Sequence, residues 1–199
     1  MKLYLVRHGQ TDLNKERRYQ GRIDAVLNDT GLQQVQRLSS RLLSEPIDKV
    51  YASPLTRAQE TAHIIADRRH MEITTCEYIM EMNFGQFEGK TYDEIIKIFP
   101  DWNPDIFDFT FAGGESLDSL VSRMKKFIDI LMAEHGADSN ILVVSHTGCL
   151  RVFLCLLLDI DVAKWWRFKI DLASLTIVEY FPEGAVLALM NDTSYLNGE

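Results

Sequence analysis

The sequence predicts an α/β fold: a three-layer α/β/α sandwich around a mostly parallel central sheet, with a C-terminal hairpin. Strand-like and helix-like segments alternate along most of the chain, which is typical of a parallel sheet covered by helices. Residues 141–144 (ILVV) are wholly apolar, as in a strand that is buried on both faces. Residues 174–181 and 185–190 are strand-like and separated by Pro-Glu-Gly, which predicts the hairpin.

Three strands and two helices are expected in the first half of the chain. The strands are residues 2–6, 49–52 and 72–76. With Thr30 as the expected N-cap, the first helix buries one apolar face made of Leu32, Val35, Leu38 and Leu42. Ser53 and Pro54 predict the start of the second helix, with the serine as N-cap and the proline in the first turn.

The second half of the chain is more strongly helical. The capping box at residues 91–94 (TYDE) predicts a short helix that ends before Pro100. An apolar stripe over residues 117–131 predicts a long helix that ends near Gly136. Residues 148–158 are nearly all apolar, so the helix expected there is buried.

Length and composition indicate one domain, residues 1–199, with a lid-like insertion around 82–114. The net charge of -8 argues against partners that need a basic surface, namely nucleic acid and anionic membranes. Three cysteines without a CxxC pair are typical of buried thiols in a reducing compartment. Together with the lack of a secretory leader or long apolar segment, this predicts a cytoplasmic protein. The sequence leaves the oligomeric state open, a homodimer included.

Polar and charged residues follow the predicted strands where each strand ends. Arg7 and His8 follow the first strand, and Arg57 lies in the first turn after the second. Glu81 follows the third strand, and His146 follows the apolar strand 141–144. Because ligands of open α/β sheets bind beyond the carboxyl ends of the strands, we expect these five side chains to meet at one edge.

This set of residue types suits phosphoryl transfer. Arginine forks match phosphate oxygens, and a neutral imidazole is a competent nucleophile towards phosphorus. A carboxyl group can protonate a leaving alcohol and then activate water. Gly9 is expected to let the backbone approach the phosphate, and Asn14 to offer an amide donor. Glu77 and Glu88 are the nearby alternatives to Glu81.

Five segments together resemble the histidine phosphatase (phosphoglycerate mutase-like) superfamily. They are RHGQTDLN at 7–14, SPLTRAQETA at 53–62, EMNFGQFEG at 81–89, GGES at 113–116 and SHTG at 145–148. The resemblance implies the phosphoglycerate mutase-like fold and a phosphatase of small phosphorylated metabolites that needs no metal or other cofactor. Two departures are Gln10, where Glu is common, and Phe87, where Trp is common.

The same resemblance implies a role for each matching residue. His8 becomes the phosphorylated nucleophile, and Glu81 the proton donor and acceptor. The expected phosphate and substrate contacts are Arg7, Gly9, Asn14, Gln20, Gly21, Arg57, His146 and Thr147. Residues 85–91 imitate a phosphate-binding P-loop, but three residues lie between the glycines where that loop needs four, so a nucleotide triphosphatase is disfavoured.

The substrate is less defined than the reaction. Residues 81–89, 165–171 (WWRFKID) and 189–196 (LMNDTSYL) look like α-ribazole 5′-phosphate phosphatases of cobalamin synthesis. Phosphoserine or broad-specificity phosphatases have similar patterns, whereas a phosphoglycerate mutase usually has a longer insertion. A catalytically silent ligand-binding member is a further alternative. A ring-bearing substrate would suit the aromatic residues of the expected lid, namely Phe99, Trp102, Phe107, Phe109 and Phe111.

Overall fold

A central sheet organises the molecule. The computed structural model describes residues 1–102 and 109–196, and a six-stranded sheet runs through this part. The strands are β1 (Lys2–Arg7), β2 (Lys49–Ala52), β3 (Ile73–Thr75), β4 (Asn140–Ser145), β5 (Leu175–Phe181) and β6 (Gly184–Asp192). Their spatial order is β3-β2-β4-β1-β5-β6. The first four strands are parallel, while β5 and β6 form the antiparallel hairpin at one side, as predicted.

Helices cover both faces of the sheet. They are α1 (Asp12–Lys15), α2 (Asp29–Leu42), α3 (Thr56–Ala66), α4 (Tyr92–Ile98), α5 (Leu117–Glu134) and α6 (Thr147–Leu157). Successive strand residues point to opposite faces, so Leu3 and Leu5 pack in the core with α5 and α6, whereas Tyr4 and Val6 pack in the core with α2 and α3. The three predicted layers are therefore confirmed. None of the helices in the described ranges is long and apolar enough to cross a membrane.

Two predicted helix caps are wrong. Thr30 lies inside α2, and the N-cap is Asn28, whose side chain accepts a hydrogen bond from the Gly31 amide at 2.9 Å. Helix α3 begins at Thr56 without a side-chain cap, so Ser53 precedes it by three residues. The hydroxyl group of Ser53 lies 2.7 Å from a ring nitrogen of His146 instead. A tertiary contact thus uses the side chain that local preference assigns to capping.

The segment around 82–114 has a small aromatic core of its own. Phe87 is fully buried, and four aromatic rings pack around it with centroids 4.9 to 5.7 Å away. They belong to Phe99, Trp102, Phe109 and Phe111. The capping box of α4 is present as predicted, with Thr91 as N-cap. Phe107, the fifth of the aromatic residues named for the expected lid, lies outside the described residues.

Candidate active site

The parallel strands bring the two histidines together. β1 and β4 are neighbours, with Arg7 opposite Ser145, so His8 and His146 each lie one residue beyond a paired strand end. Their ring centroids are 5.1 Å apart. β2 lies on the other side of β4 and leads into α3, which carries Arg57 in its first turn. The expected meeting of these side chains at one edge of the sheet is therefore present.

A cleft of about 400 Å³ opens at this edge. Most of the predicted site residues line it, namely Arg7, His8, Asn14, Gln20, Gly21, Arg57, Glu81 and Thr147. The remaining lining residues are Arg17, Arg18, Tyr19, Phe84, Phe109, Gly148, Arg151 and Trp165. His146 lies beneath this lining, fully buried against His8, and Gly9 is outside it.

The contacts of His8 assign its tautomer. Nδ1 lies 2.7 Å from the carbonyl oxygen of Gly9, so this nitrogen carries the proton and donates. Nε2 is then the unprotonated nitrogen, and Nε of Arg57 donates to it at 3.3 Å. Burial, followed by the charges of Arg57 and Arg7, holds the pKa of His8 well below its ordinary value of 6.5. The imidazole is consequently neutral at pH 7, with its one unprotonated nitrogen, Nε2, accepting the hydrogen bond from Arg57.

His146 has one ring nitrogen with a hydrogen-bond partner and one without. Its Nε2 lies 2.7 Å from the hydroxyl group of Ser53, which is able to donate to a neutral ring whose proton is on Nδ1. That Nδ1 is buried without a hydrogen-bond partner among the described residues. Burial, followed by the charges of Arg57 and Arg7, keeps the pKa of His146 well below 6.5. An anion bound here would oppose these cations and raise that pKa.

Two arginines place permanent charge beside His8. Arg57 is 1% exposed, and its guanidinium group donates to the carbonyl oxygens of Gly21 and Ile23 at 2.7 and 2.9 Å. Arg7 donates to the carbonyl oxygen of Ile170 at 2.8 Å. Burial lowers the pKa of both guanidinium groups to about 10, which leaves them charged at neutral pH. These bonds hold both guanidinium groups at the cleft, where they present N–H donors and positive charge.

Unpartnered buried polar atoms gather around the cleft. In the described part of the chain, these include Nε of Arg7, Nε2 of Gln20, Nδ1 of His146 and Oγ1 of Thr147. A buried donor left without a partner costs about 1–3 kcal/mol. Asn14 adds its amide group to the lining, because its carbonyl oxygen already accepts from the amide and hydroxyl of Thr11. This concentration of donors suits a ligand with several oxygen atoms.

The structure explains the glycine at position 9 by packing rather than by the expected approach to a phosphate. A Cβ at this position would lie 2.8 Å from both the carbonyl oxygen of Gly31 and a methyl group of Val35. Its amide donates to the hydroxyl group of Thr61 at 3.2 Å. The missing side chain therefore allows α2 to pack against the loop after β1, and Gly9 makes no part of the cleft wall.

Glu81 is held at the start of α6. One carboxylate oxygen accepts from the amide of Met82 at 2.9 Å, and the other from the amide of Gly148 at 3.2 Å. The side chain is buried yet lines the cleft. Neither alternative carboxylate does so: Glu77 is exposed, and Glu88 accepts from the amides of Arg22 and Phe84.

Gly148→Ala should lower activity without unfolding the protein. The added methyl group would lie 2.6 Å from Oε1 of Glu81, so the carboxylate must move. Because a displacement of about 1 Å in a reacting group can cost about 100-fold, we expect kcat for a phosphomonoester to fall roughly 10- to 100-fold. Gly136→Ala is the matched control, since a Cβ there has no neighbour within 4 Å. Equal kcat in both variants would contradict the placement of Glu81.

A buried ion pair braces the segment that carries Glu81. Arg123 binds both carboxylate oxygens of Glu115, at 2.8 and 3.1 Å, and donates to the carbonyl oxygen of Tyr78 at 2.6 Å. Glu115 also accepts from the amide of Asn83 at 3.3 Å. Sequence reasoning identified the GGES motif but gave Glu115 no role, because the partner lies eight residues away on α5 and the contacts with 78–83 are tertiary.

Arg151 is the main cleft residue that the sequence analysis missed. It lies on α6, four residues after Thr147, and its side chain reaches the cleft. The sequence did contain a feature that could have identified Arg151, because it is the only charged residue in the apolar segment 148–158. Trp165 is buried and also lines the cleft, whereas Trp166 is exposed.

The two buried histidines make stability depend on pH. Both are neutral in the folded protein, and the unfolded chain takes up their protons below pH 6.5. The free energy of unfolding is therefore highest above pH 6.5 with respect to these two groups. It decreases as the pH falls, by about 1.4 kcal/mol per pH unit for each histidine. We expect His146→Asn to show a smaller drop in unfolding free energy between pH 7.5 and 5.0 in urea titrations than wild type does. The exposed His63→Asn control should match wild type.

The family model of the histidine phosphatase superfamily (branch 1) matches residues 3–193. The chain belongs to this superfamily. It is similar to phosphoserine phosphatase 1 of Hydrogenobacter thermophilus, with 34% identity over 98% of this chain and 94% of the relative's length. The adenosylcobalamin/α-ribazole phosphatase of Salmonella typhimurium is 28% identical over 96% of each chain. The crystal structure of the α-ribazole phosphatase from Shigella flexneri superposes with a TM-score of 0.87 at 28% identity, covering 97% of each chain.

Membership in the histidine phosphatase superfamily confirms the predicted class of reaction, phosphoric monoester hydrolysis. The relatives named above differ in the substrate that their names give, so they leave the substrate of this chain open. Within residues 1–102 and 109–196, no three His, Cys, Asp or Glu side chains are grouped to hold a metal ion. The roles of individual site residues and the independence from metal remain predictions.

Proposed function

We propose that this protein hydrolyses a small phosphomonoester through a phosphohistidine on His8, without a metal ion. The observation that carries the proposal is the neutral His8, with Nε2 directed at Arg57 and with Arg7, Arg57 and Glu81 around the same cleft. Phosphoryl transfer needs mainly positioning and charge stabilisation, which these fixed guanidinium groups supply.

In the first step, Nε2 of His8 forms a bond to phosphorus while the bond from phosphorus to the alcohol oxygen breaks. Arg7 and Arg57 hold the non-bridging oxygens, and Nδ1 of His146 adds a donor. The carboxyl group of Glu81 gives its proton to the departing alcohol. The hydrogen bond from Nδ1 of His8 to Gly9 supports the positive charge that develops on the ring.

In the second step, water replaces the alcohol and the same groups work in reverse. The carboxylate of Glu81 takes a proton from the water as its oxygen bonds to phosphorus. The bond between phosphorus and Nε2 then breaks, which releases inorganic phosphate and restores neutral His8. Each step transfers one proton to or from Glu81, so the enzyme returns to its starting state.

Two substrate classes fit the cleft. α-Ribazole 5′-phosphate, the substrate favoured by the sequence, is supported by the names of several relatives and by the aromatic part of the lining: Tyr19, Phe84, Phe109 and Trp165. On that assignment the enzyme would act in cobalamin synthesis. Phosphoserine is the second candidate, and the observation in its favour is the number of arginines in the lining.

The proposed reaction is tested with p-nitrophenyl phosphate in excess EDTA. We expect full activity in wild type and none in His8→Ala. Activity that appears only on addition of Mg²⁺ would contradict the proposal. Release of free phosphate from 3-phosphoglycerate, rather than formation of its isomer, would separate a phosphatase from a mutase. Binding of phosphorylated ligands without turnover of any substrate would indicate the silent alternative.

A further inference from the structure

Arg151 is held rigidly at the cleft wall. Its Nε donates to the carbonyl oxygen of Phe168 at 2.7 Å, and its guanidinium carbon lies 5.9 Å from the centre of the Trp165 ring. A guanidinium group carries five N–H donors, so the two terminal nitrogens remain available after the bond from Nε. The contacts with Phe168 and Trp165 orient these nitrogens at little further cost in side-chain entropy.

Within the described ranges, Arg151 makes no direct ion pair, and the acidic group that acts on its charge is Glu81, across the cleft. Among the residues that the structure describes, no Asp or Glu oxygen lies within ion-pair distance of Arg151. Arg18 and Arg123 differ in this respect, because Arg18 pairs with Glu16 and Glu94 and Arg123 pairs with Glu115. Arg7 and Arg57, which the proposed function assigns to the phosphate, resemble Arg151. A half-buried arginine in a cleft without a direct ion pair favours an anionic ligand.

Arg151 also lies next to the place where the alcohol would leave. Helix α6 presents Thr147 and Arg151 four residues apart, so their side chains share one face. Between them in sequence, the amide of Gly148 binds Glu81, the expected proton donor to the leaving oxygen. An alcohol protonated by Glu81 would share the cleft with the part of α6 that carries Thr147 and Arg151. Oγ1 of Thr147 is a buried hydroxyl with no partner in the described ranges.

We infer that Arg151 and Thr147 form a subsite for a carboxylate on the leaving alcohol, next to the phosphate pocket. Bidentate guanidinium–carboxylate bonds fit a planar carboxylate, and the Thr147 hydroxyl can donate to the same group. The inference rests on the proposed function. It favours a carboxylated phosphomonoester of the phosphoserine kind over an α-ribazole phosphate, which has no carboxylate.

The test compares O-phosphoserine with O-phosphoethanolamine, which differ only by the carboxylate, and includes p-nitrophenyl phosphate and α-ribazole 5′-phosphate. We expect wild type to prefer phosphoserine over phosphoethanolamine in kcat/KM by roughly 10- to 100-fold. Arg151→Gln should remove most of that preference while changing kcat/KM for p-nitrophenyl phosphate less than about threefold. Arg151→Lys should keep part of the preference, because the charge remains. The control Lys164→Gln removes a nearby exposed charge and should behave as wild type.

Three outcomes would overturn the subsite. Equal turnover of phosphoserine and phosphoethanolamine by wild type would do so, as would a clear preference for α-ribazole 5′-phosphate over both. The third is an equal loss of activity on all four substrates in Arg151→Gln that is not restored in Arg151→Lys. That result would show that Arg151 acts only through its structural hydrogen bond to Phe168. A different result would contradict the proposed function itself: wild type would show no hydrolysis of p-nitrophenyl phosphate that depends on His8.

Discussion

His8→Asn is expected to lower kcat for p-nitrophenyl phosphate by about four orders of magnitude or more, the loss typical when a covalent nucleophile is removed. Asparagine keeps a polar group that can bond to the carbonyl oxygen of Gly9, so the local fold should persist. It lacks the Nε2 lone pair, and no phosphoryl intermediate can form. Steady-state kinetics measure the loss. Protein quenched in alkaline denaturant and analysed by mass spectrometry measures the intermediate, because a phosphohistidine is labile in acid.

The control for this prediction is His63→Asn. His63 is exposed on α3, and its Nδ1 lies 3.8 Å from a carboxylate oxygen of Asp67. It is not among the residues that line the cleft. Its activity should equal that of wild type, and the melting temperatures of both variants should show that they are folded. Appreciable turnover by folded His8→Asn, with the phosphoryl group found on another residue, would refute His8 as the nucleophile.

Glu81→Gln should separate the two chemical steps. Glutamine can neither give nor take a proton, and general acid–base catalysis contributes about 100- to 10,000-fold. An alkyl phosphate needs a proton on its leaving oxygen, so its turnover should fall by that factor. p-Nitrophenolate leaves without a proton, so the first step survives while hydrolysis of phospho-His8 becomes slow. We expect a burst of about one p-nitrophenol per enzyme, followed by a slow steady state.

Glu77→Gln is the matched control, because Glu77 is the exposed carboxylate that sequence reasoning left as an alternative. It should show neither a burst nor a loss of turnover. If Glu81→Gln slowed alkyl and p-nitrophenyl phosphates by the same factor and gave no burst, Glu81 would have no part in proton transfer. An additional test of placement is Gly148→Ala, since that variant moves the carboxylate without changing its chemistry.

Helix caps and glycines show how local reasoning fails at particular positions. Ser53 has the residue type and the following proline of an N-cap, yet its hydroxyl group bonds to His146, 93 residues away. Gly9 follows His8 and was expected to approach a phosphate, and the structure shows that its missing side chain makes room for α2. In both cases a contact between distant segments decides the role, and residue preferences within a few positions carry no information about it.

The sequence by itself determined the layer architecture, the mostly parallel sheet and the edge at which Arg7, His8, Arg57, Glu81 and His146 meet. Hydrophobic periodicity sets the strands and helices, and parallel strands must place their carboxyl ends together. Only the tertiary structure decided the tautomer of His8, the ion pair of Glu115 with Arg123 and the placement of Arg151 at the cleft. These depend on distances between side chains of separate elements, which packing defines and sequence spacing does not.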